Sequence, residues 1–258
     1  MAEQRVSIVT GASQGIGRQI ALALAVRGDA VVLAARDLSR LEEVADDIDR
    51  AGGECMVART DVTDLGSVEA MAAAAVGRFG RIDVAVANSG VGGPSGVLWE
   101  LDPAEWQDTF DVNVTGVFHT ARATIPAMIA GGGGALVVIG SVSGKRPLYG
   151  RTAYTASKLA LVGLVRTLAL ETGPHGIRVN LISPGFVAGS RMDWVIRAQA
   201  QARGLTEDAV RAELEGLSPL GRLTSAGEVA EAVLFLTSER ASALTGVDLN
   251  VNAGVVMY

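Results

Sequence analysis

The chain has 258 residues, 49% of them hydrophobic, and 28 acidic against 22 basic side chains give it a net charge of −6. With a mean hydropathy of +0.33, that composition supports a large buried core and excludes a disordered chain. The arginines are scattered, with no basic block interleaved with aromatics, so nucleic acid is not an expected partner.

Short β-branched runs alternate with longer helical stretches. The strand-like runs are 5–10, 30–35, 55–60, 82–87, 135–140, 177–182 and 247–252, and most are apolar throughout rather than alternating. Such runs suit strands covered on both faces. Between them, 15–28, 38–51, 66–79, 103–130, 152–172 and 226–238 read as helices. The repeat predicts one α/β domain over 1–258, with a Rossmann-like, doubly wound parallel sheet of about seven strands and helices on both faces. The run AGGGGA (130–135) reads as a flexible turn. The segment 186–217 is an insertion with an amphipathic helix over 206–217, opened by a capping pattern from Thr206 to Ala209 that lacks the usual Glu or Gln. It is expected to act as a lid or as an oligomer contact.

The single cysteine, Cys55, cannot form an intramolecular disulfide and reads as a small core residue. The N-terminus shows no signal-peptide pattern, and no uninterrupted apolar run approaches the roughly 18–20 residues that span a bilayer. A cytoplasmic, soluble protein is the expectation. His119 and His175 are far apart, one in a helical pattern and one in a turn, and make no metal-ligand spacing and no Ser-His-Asp arrangement. No metal is expected.

TGASQGIG (10–17) follows the first strand and opens the first helix. Gly11, Gly15 and Gly17 allow a tight turn and close backbone approach to a pyrophosphate, where free N–H groups and the helix dipole favour negative charge. Composition marks a second place: only two lysines occur, Lys145 and Lys158, and only 3 tyrosines, yet Lys158 follows Tyr154 by four residues. In a helix the two share a face. A free phenol is a poor proton donor near neutral pH, and a cation beside it lowers its pKa.

TGASQGIG, ANSG (87–90), Asn113, Ser141, YTASK (154–158) and SPG (183–185), in that order across nearly the whole chain, resemble the short-chain dehydrogenase/reductase family. The resemblance implies hydride transfer with a nicotinamide cofactor. Tyr154 would be the proton donor, with Lys158 on the phenol and the nicotinamide ribose, Ser141 orienting the substrate oxygen and Asn113 supporting a proton-relay water. It also implies cofactor contacts at Gly11, Ser13, Gln14, Gly15, Ile16, Gly17, Asp61, Val62, Asn88, Gly90, Tyr154, Lys158, Pro184, Gly185 and Val187, and a homo-oligomer, tetramer or dimer, packed through 103–130 and 152–172.

Where NAD-binding folds carry an acid after the second strand, this chain has Ala35 and then Arg36. Arg36 favours NADPH/NADP+ through its fork on a 2′-phosphate, although Asp37 would repel that phosphate if it pointed inward. The threonine often found after PG is replaced by Ala188 and Gly189, with Ser190 following, and Asn252 and Ala253 stand where the family often has Asp-Gly. Val91, Pro94, Val142, Tyr149, Phe186, Met192 and Trp194 should wall an apolar pocket for a bulky ketone. PGFVAGSRM (184–192) and the terminal NVNAGVVMY (250–258) are also similar to those of ketoreductases that tailor aromatic polyketides, the angucycline type among them, which implies such a substrate. A 3-oxoacyl thioester, another alcohol or a sugar stays open as substrate, and so does a non-catalytic NADP-binding sensor or scaffold.

Overall fold

The computed structural model describes residues 4–258. Seven parallel strands form one sheet in the order β3-β2-β1-β4-β5-β6-β7: β1 Val6–Thr10, β2 Ala30–Ala35, β3 Glu54–Arg59, β4 Val84–Ala87, β5 Gly134–Ile139, β6 Ile177–Pro184 and β7 Asp248–Val251. The chain order reverses between β1 and β4, and the crevice at their carboxyl ends is where open α/β sheets bind ligands.

Strand β2 shows how the sheet is held. Ala30, Val32 and Ala34 face a core shared with α3 (Leu65–Phe79), α5 (Gly116–Ala130) and α6 (Thr152–Thr172). Val31 and Leu33 face the opposite core, with α1 (Gly15–Val26), α2 (Leu38–Arg50) and α9 (Ala226–Leu236). Adjacent residues point to opposite faces, so an unbroken apolar run is what two-sided burial requires.

Three expectations are refined. The 103–130 helix is α4 (Pro103–Phe110), a π-helical turn (Asp111–Thr115) and then α5, so Asn113 lies on a local widening of the helix. Turns of this kind recur at functional sites. The glycine run turns at 131–132 as expected, but it also makes a close approach: a side-chain carbon on Gly133 would sit 2.8 Å from the Gly176 carbonyl. The insertion holds two helices, α7 (Ser190–Arg203) and α8 (Glu207–Gly216), which share a small core of Ile196, Ala200, Val210, Leu214 and Leu223. The Thr206 hydroxyl accepts from the Ala209 N–H at 3.2 Å, giving α8 half of a capping box.

One described helix, Thr152–His175, is long and apolar enough to cross a membrane by length and composition alone. Within this fold it packs Leu161 and Val165 into the core beneath the sheet, while 33% of its most apolar stretch is buried.

Candidate active site

The carboxyl ends of β1, β2, β4, β5 and β6 open onto one cleft of about 1540 Å³. It is lined by every expected catalytic and cofactor residue except Asn113, and by every expected substrate residue except Pro94. Pro94 misses because Gly93, at φ +65°, backs onto Thr109 and turns the loop, so that Ser95 and Gly96 face the cleft.

At one end lies the glycine turn. A Cβ on Gly17 would sit 2.2 Å from the Gly11 carbonyl, and one on Gly11 would sit 2.9 Å from Asn88 Nδ2. Over Gly15, which lines the cleft, nothing stands within 4 Å. The turn is therefore shut against side chains on its protein side and bare toward the cleft. The Gln14 side chain makes no capping bond to the N–H groups of α1, and no acid occupies the first turn. Unpartnered N–H groups at a helix start, with the dipole behind them, fit a pyrophosphate. Asn88 braces this end from β4, donating through Nδ2 to the Thr10 carbonyl at 2.9 Å.

Beside the turn, Arg36 follows β2. The Asp37 carboxylate, also at the cleft, caps α2: it accepts from the Arg40 N–H at 3.2 Å and from the Ser39 hydroxyl at 2.9 Å. Those hydrogen bonds, led by the one from the Arg40 backbone, hold its pKa below the ordinary carboxylate value. Arg40 meanwhile reaches the Gln14 side chain at 2.5 Å. Asp61 is likewise lowered, chiefly by the backbone N–H of Thr63.

At the other end, Ser141, Tyr154 and Lys158 converge. The Ser141 hydroxyl accepts from the Ser143 N–H at 3.1 Å, which leaves its proton free to donate. Lys158 is buried at 5% exposure, donates to the Ile139 carbonyl at 2.9 Å and places Nζ 5.9 Å from the centre of the Tyr154 ring. Burial alone pushes the Tyr154 phenol up. The Lys158 ammonium, the hydrogen bond with Ser141 and the Arg191 and Arg151 charges outweigh it, and the pKa falls below the usual tyrosine value. Burial likewise lowers Lys158, opposed by Tyr154.

Asn113 sits behind the cleft wall, fully buried. Its Oδ1 accepts from the Val91 N–H at 2.8 Å, and its Nδ2 donates to the Val91 carbonyl and the Ser157 hydroxyl, both at 3.0 Å. Ser157 in turn donates to the Tyr154 carbonyl at 2.8 Å. The side chain thus ties the 90–91 loop to the start of α6. Phe186–Ala188 is clipped to Thr224 by Ala188 N–H to Thr224 O at 2.8 Å and Thr224 N–H to Phe186 O at 2.9 Å. Gly189 and Ser190 line the cleft where a threonine was sought, and Asn252 closes the C-terminal turn through its Nδ2 bond to the Val256 carbonyl at 2.9 Å. His119 is buried with Nδ1 2.9 Å from the Val62 carbonyl.

Sequence reasoning missed Ser157, Arg151 and Arg191. Ser157 and Arg151 lie within three residues of Tyr154, at spacings that a helix brings to one region, which was a usable signal. For Arg191 the sequence offers none.

Residues 11–256 match a family model described as Enoyl-(Acyl carrier protein) reductase. Cis-4-hydroxycyclohexanecarboxylate dehydrogenase of Sinomonas cyclohexanicum is 39% identical over 255 residues, covering 97% of this chain and 96% of that protein. Among solved structures, a variant of actinorhodin polyketide ketoreductase with NADPH superposes with a TM-score of 0.95 at 33% identity, covering 100% of this chain and 99% of that one. NAD+-bound xylitol dehydrogenase gives 0.93 at 30%, covering 98% and 100%. With a seven-stranded parallel sheet, a glycine cradle and a Ser–Tyr–Lys cluster in one cleft, the chain belongs to the short-chain dehydrogenase/reductase family and is an oxidoreductase acting on CH–OH groups.

Proposed function

We propose that the protein interconverts a bulky, largely apolar ketone and its secondary alcohol, with NADP(H) as the cofactor and Tyr154 as the proton donor. The observation that carries this reading is the buried Lys158 beside Tyr154, across the same cleft from the glycine cradle. When bound, the nicotinamide supplies or accepts hydride. The chain's own groups handle the oxygen: the Ser141 hydroxyl donates to the substrate carbonyl, and Tyr154 delivers the proton. Lys158 stabilises the phenolate left behind, because opposite charge in a dry site favours the ionised form. Asn113 and Ser157 fix the loop and the helix start that carry this geometry.

Arg36 supports NADP(H) over NAD(H). It lines the cleft at the adenosine end, and the carboxylate of Asp37 beside it is engaged by the N–H of Arg40 at the α2 N-terminus. The cleft walls Val91, Phe186, Met192 and Trp194 support a bulky substrate. Likeness to enzymes named for a cyclic alcohol and for a polyketide points the same way. The exposed Phe118, Leu159 and Leu170 on α5 and α6 support a homo-oligomer through those helices.

The test is a panel of ring ketones, polyketide-like ketones and acyl thioesters assayed with both cofactors. Tyr154→Phe should abolish turnover while leaving NADPH binding intact; unchanged turnover of the accepted ketones would refute the proton-donor assignment. Arg36→Ala should weaken NADPH far more than NADH, and equal losses would refute the 2′-phosphate pairing.

A further inference from the structure

Two guanidinium groups stand at the substrate end of the cleft with no acid between them. A side-chain carbon built on Gly92 would lie 2.7 Å from Arg191 Nη2 and 3.0 Å from Arg151 Nη2, so both charged ends reach one point above that glycine. Arg151 is fixed in place, donating to the Gly92 carbonyl and the Ser95 hydroxyl, each at 2.6 Å. Its Cζ is 5.5 Å from the centre of the Tyr154 ring. Arg191, the second residue of α7, makes no hydrogen bond or ion pair among the described residues.

The acids of the two inserted helices that form ion pairs form them with other arginines. Asp193 is held by Arg211 at 2.8 Å and Glu213 by Arg203 at 2.7 Å. The charged neighbours that act on Arg151 are Tyr154 and Arg191, and no carboxylate is among them. Like charges this close repel, and the repulsion is strongest where water is scarce. An acid on the protein at either position would neutralise the pair, and this chain leaves both unmet while pairing the arginines around them. The glycine at 92 keeps the space between the two ends free.

We propose that Arg151 and Arg191 form a subsite for a carboxylate carried by the substrate, so that the ketone or alcohol turned over is a keto or hydroxy acid with an apolar body. A carboxylate has two oxygens and can take one guanidinium on each, through charge-assisted bonds. Val91, Leu148, Phe186 and Met192 line the same cleft and suit the apolar body. The apolar wall expected from sequence is therefore half of the pocket's character, with a cationic corner as the other half. The proposal rests on the oxidoreductase reading above. It assigns the arginines to substrate and not to cofactor, whose phosphates have the cradle and Arg36 at the far end.

The test is isothermal titration of the protein loaded with NADP(H), using acids paired with their methyl esters: cyclohexanecarboxylate, benzoate and naphthoate, with inorganic phosphate as a competing anion. At least one acid should bind about tenfold or more tightly than its ester, the size expected for hydrogen bonds to a charged group. Arg191→Gln should erase that preference and leave NADPH affinity unchanged, whereas Arg36→Ala should do the reverse. The proposal is overturned if no acid binds better than its ester, if the preference survives Arg191→Gln, if phosphate competes as well as the acids, or if Arg191→Gln weakens NADPH. None of these ligands is a ketone or an alcohol. The outcome is therefore independent of turnover and of Tyr154→Phe.

Discussion

Replacing Gly17 with alanine should damage both the fold and the cofactor site, and the size of the effect follows from one distance. The added Cβ would lie 2.2 Å from the Gly11 carbonyl oxygen, 1.2 Å inside the 3.4 Å at which ordinary contact begins. That oxygen is backbone, within 3.3 Å of the Asn88 amide, so it cannot swing aside as a side chain would. Helix α1 must retreat from the turn, and overpacking of this kind costs about 1–3 kcal/mol. For a chain of this length that is a fall in Tm of about 2–12 °C. The same retreat spreads the N–H groups at the start of α1, so the Tm rise that NADPH gives the parent protein should be lost. Gly77→Ala is the matched control: it too lies inside a helix, but its Cβ would meet nothing within 4 Å. There alanine should gain about 0.5–1 kcal/mol, from reduced unfolded-chain freedom alone. Differential scanning calorimetry with and without NADPH reads both variants. A Gly17→Ala protein with parental Tm and a full NADPH response would refute the close-packed cradle.

The remaining predictions concern titration. Tyr154 sits below the ordinary tyrosine pKa, so ketone reduction, which needs the protonated phenol, should fail as pH rises through that lowered value, while alcohol oxidation should rise over the same window. Lys158→Met removes the main lowering charge and leaves the burial that raises the pKa, so the tyrosinate absorption band that is missing in Tyr154→Phe should appear only at higher pH; a band at unchanged pH would refute the charge pairing. Burial and the Asp49 carboxylate push the Cys55 thiol up to about 11 from 9.0, which leaves about a hundredfold less thiolate at neutral pH. Labelling by a maleimide should be correspondingly slow in the folded protein and fast in denaturant, and equal rates would refute it.

What could be read from the chain was what is local or periodic. Continuous apolar runs announced two-sided burial, and the strands fell within a few residues of their expected bounds. Strand β4 begins at Val84, although the Asp83 backbone already bonds both neighbours, its N–H to the Val6 carbonyl and its carbonyl to the Ala135 N–H, each at 2.9 Å. Helix α7 escaped notice because its fully buried residues, Ile196 and Ala200, pack against Val210, Leu214 and Leu223 from other segments, so its own pattern is weak. The π-helical turn at Asn113 leaves the apolar spacing on either side intact, and only the tertiary bonds to Val91 and Ser157 show why the widening is there.

The same division separates chemistry from specificity. Tyr154 and Lys158 are four apart on one helix and Ser141 stands just past a strand end, so the proton-delivery group is encoded in short spacings and element boundaries. Arg151 and Arg191 are brought together over Gly92 by three separate segments, and no spacing along the chain records that meeting. A list of wall residues drawn from composition therefore describes the pocket as apolar, because apolar residues declare themselves singly. A cationic corner exists only as a pair whose members find no acid, and that is a property of the folded cleft.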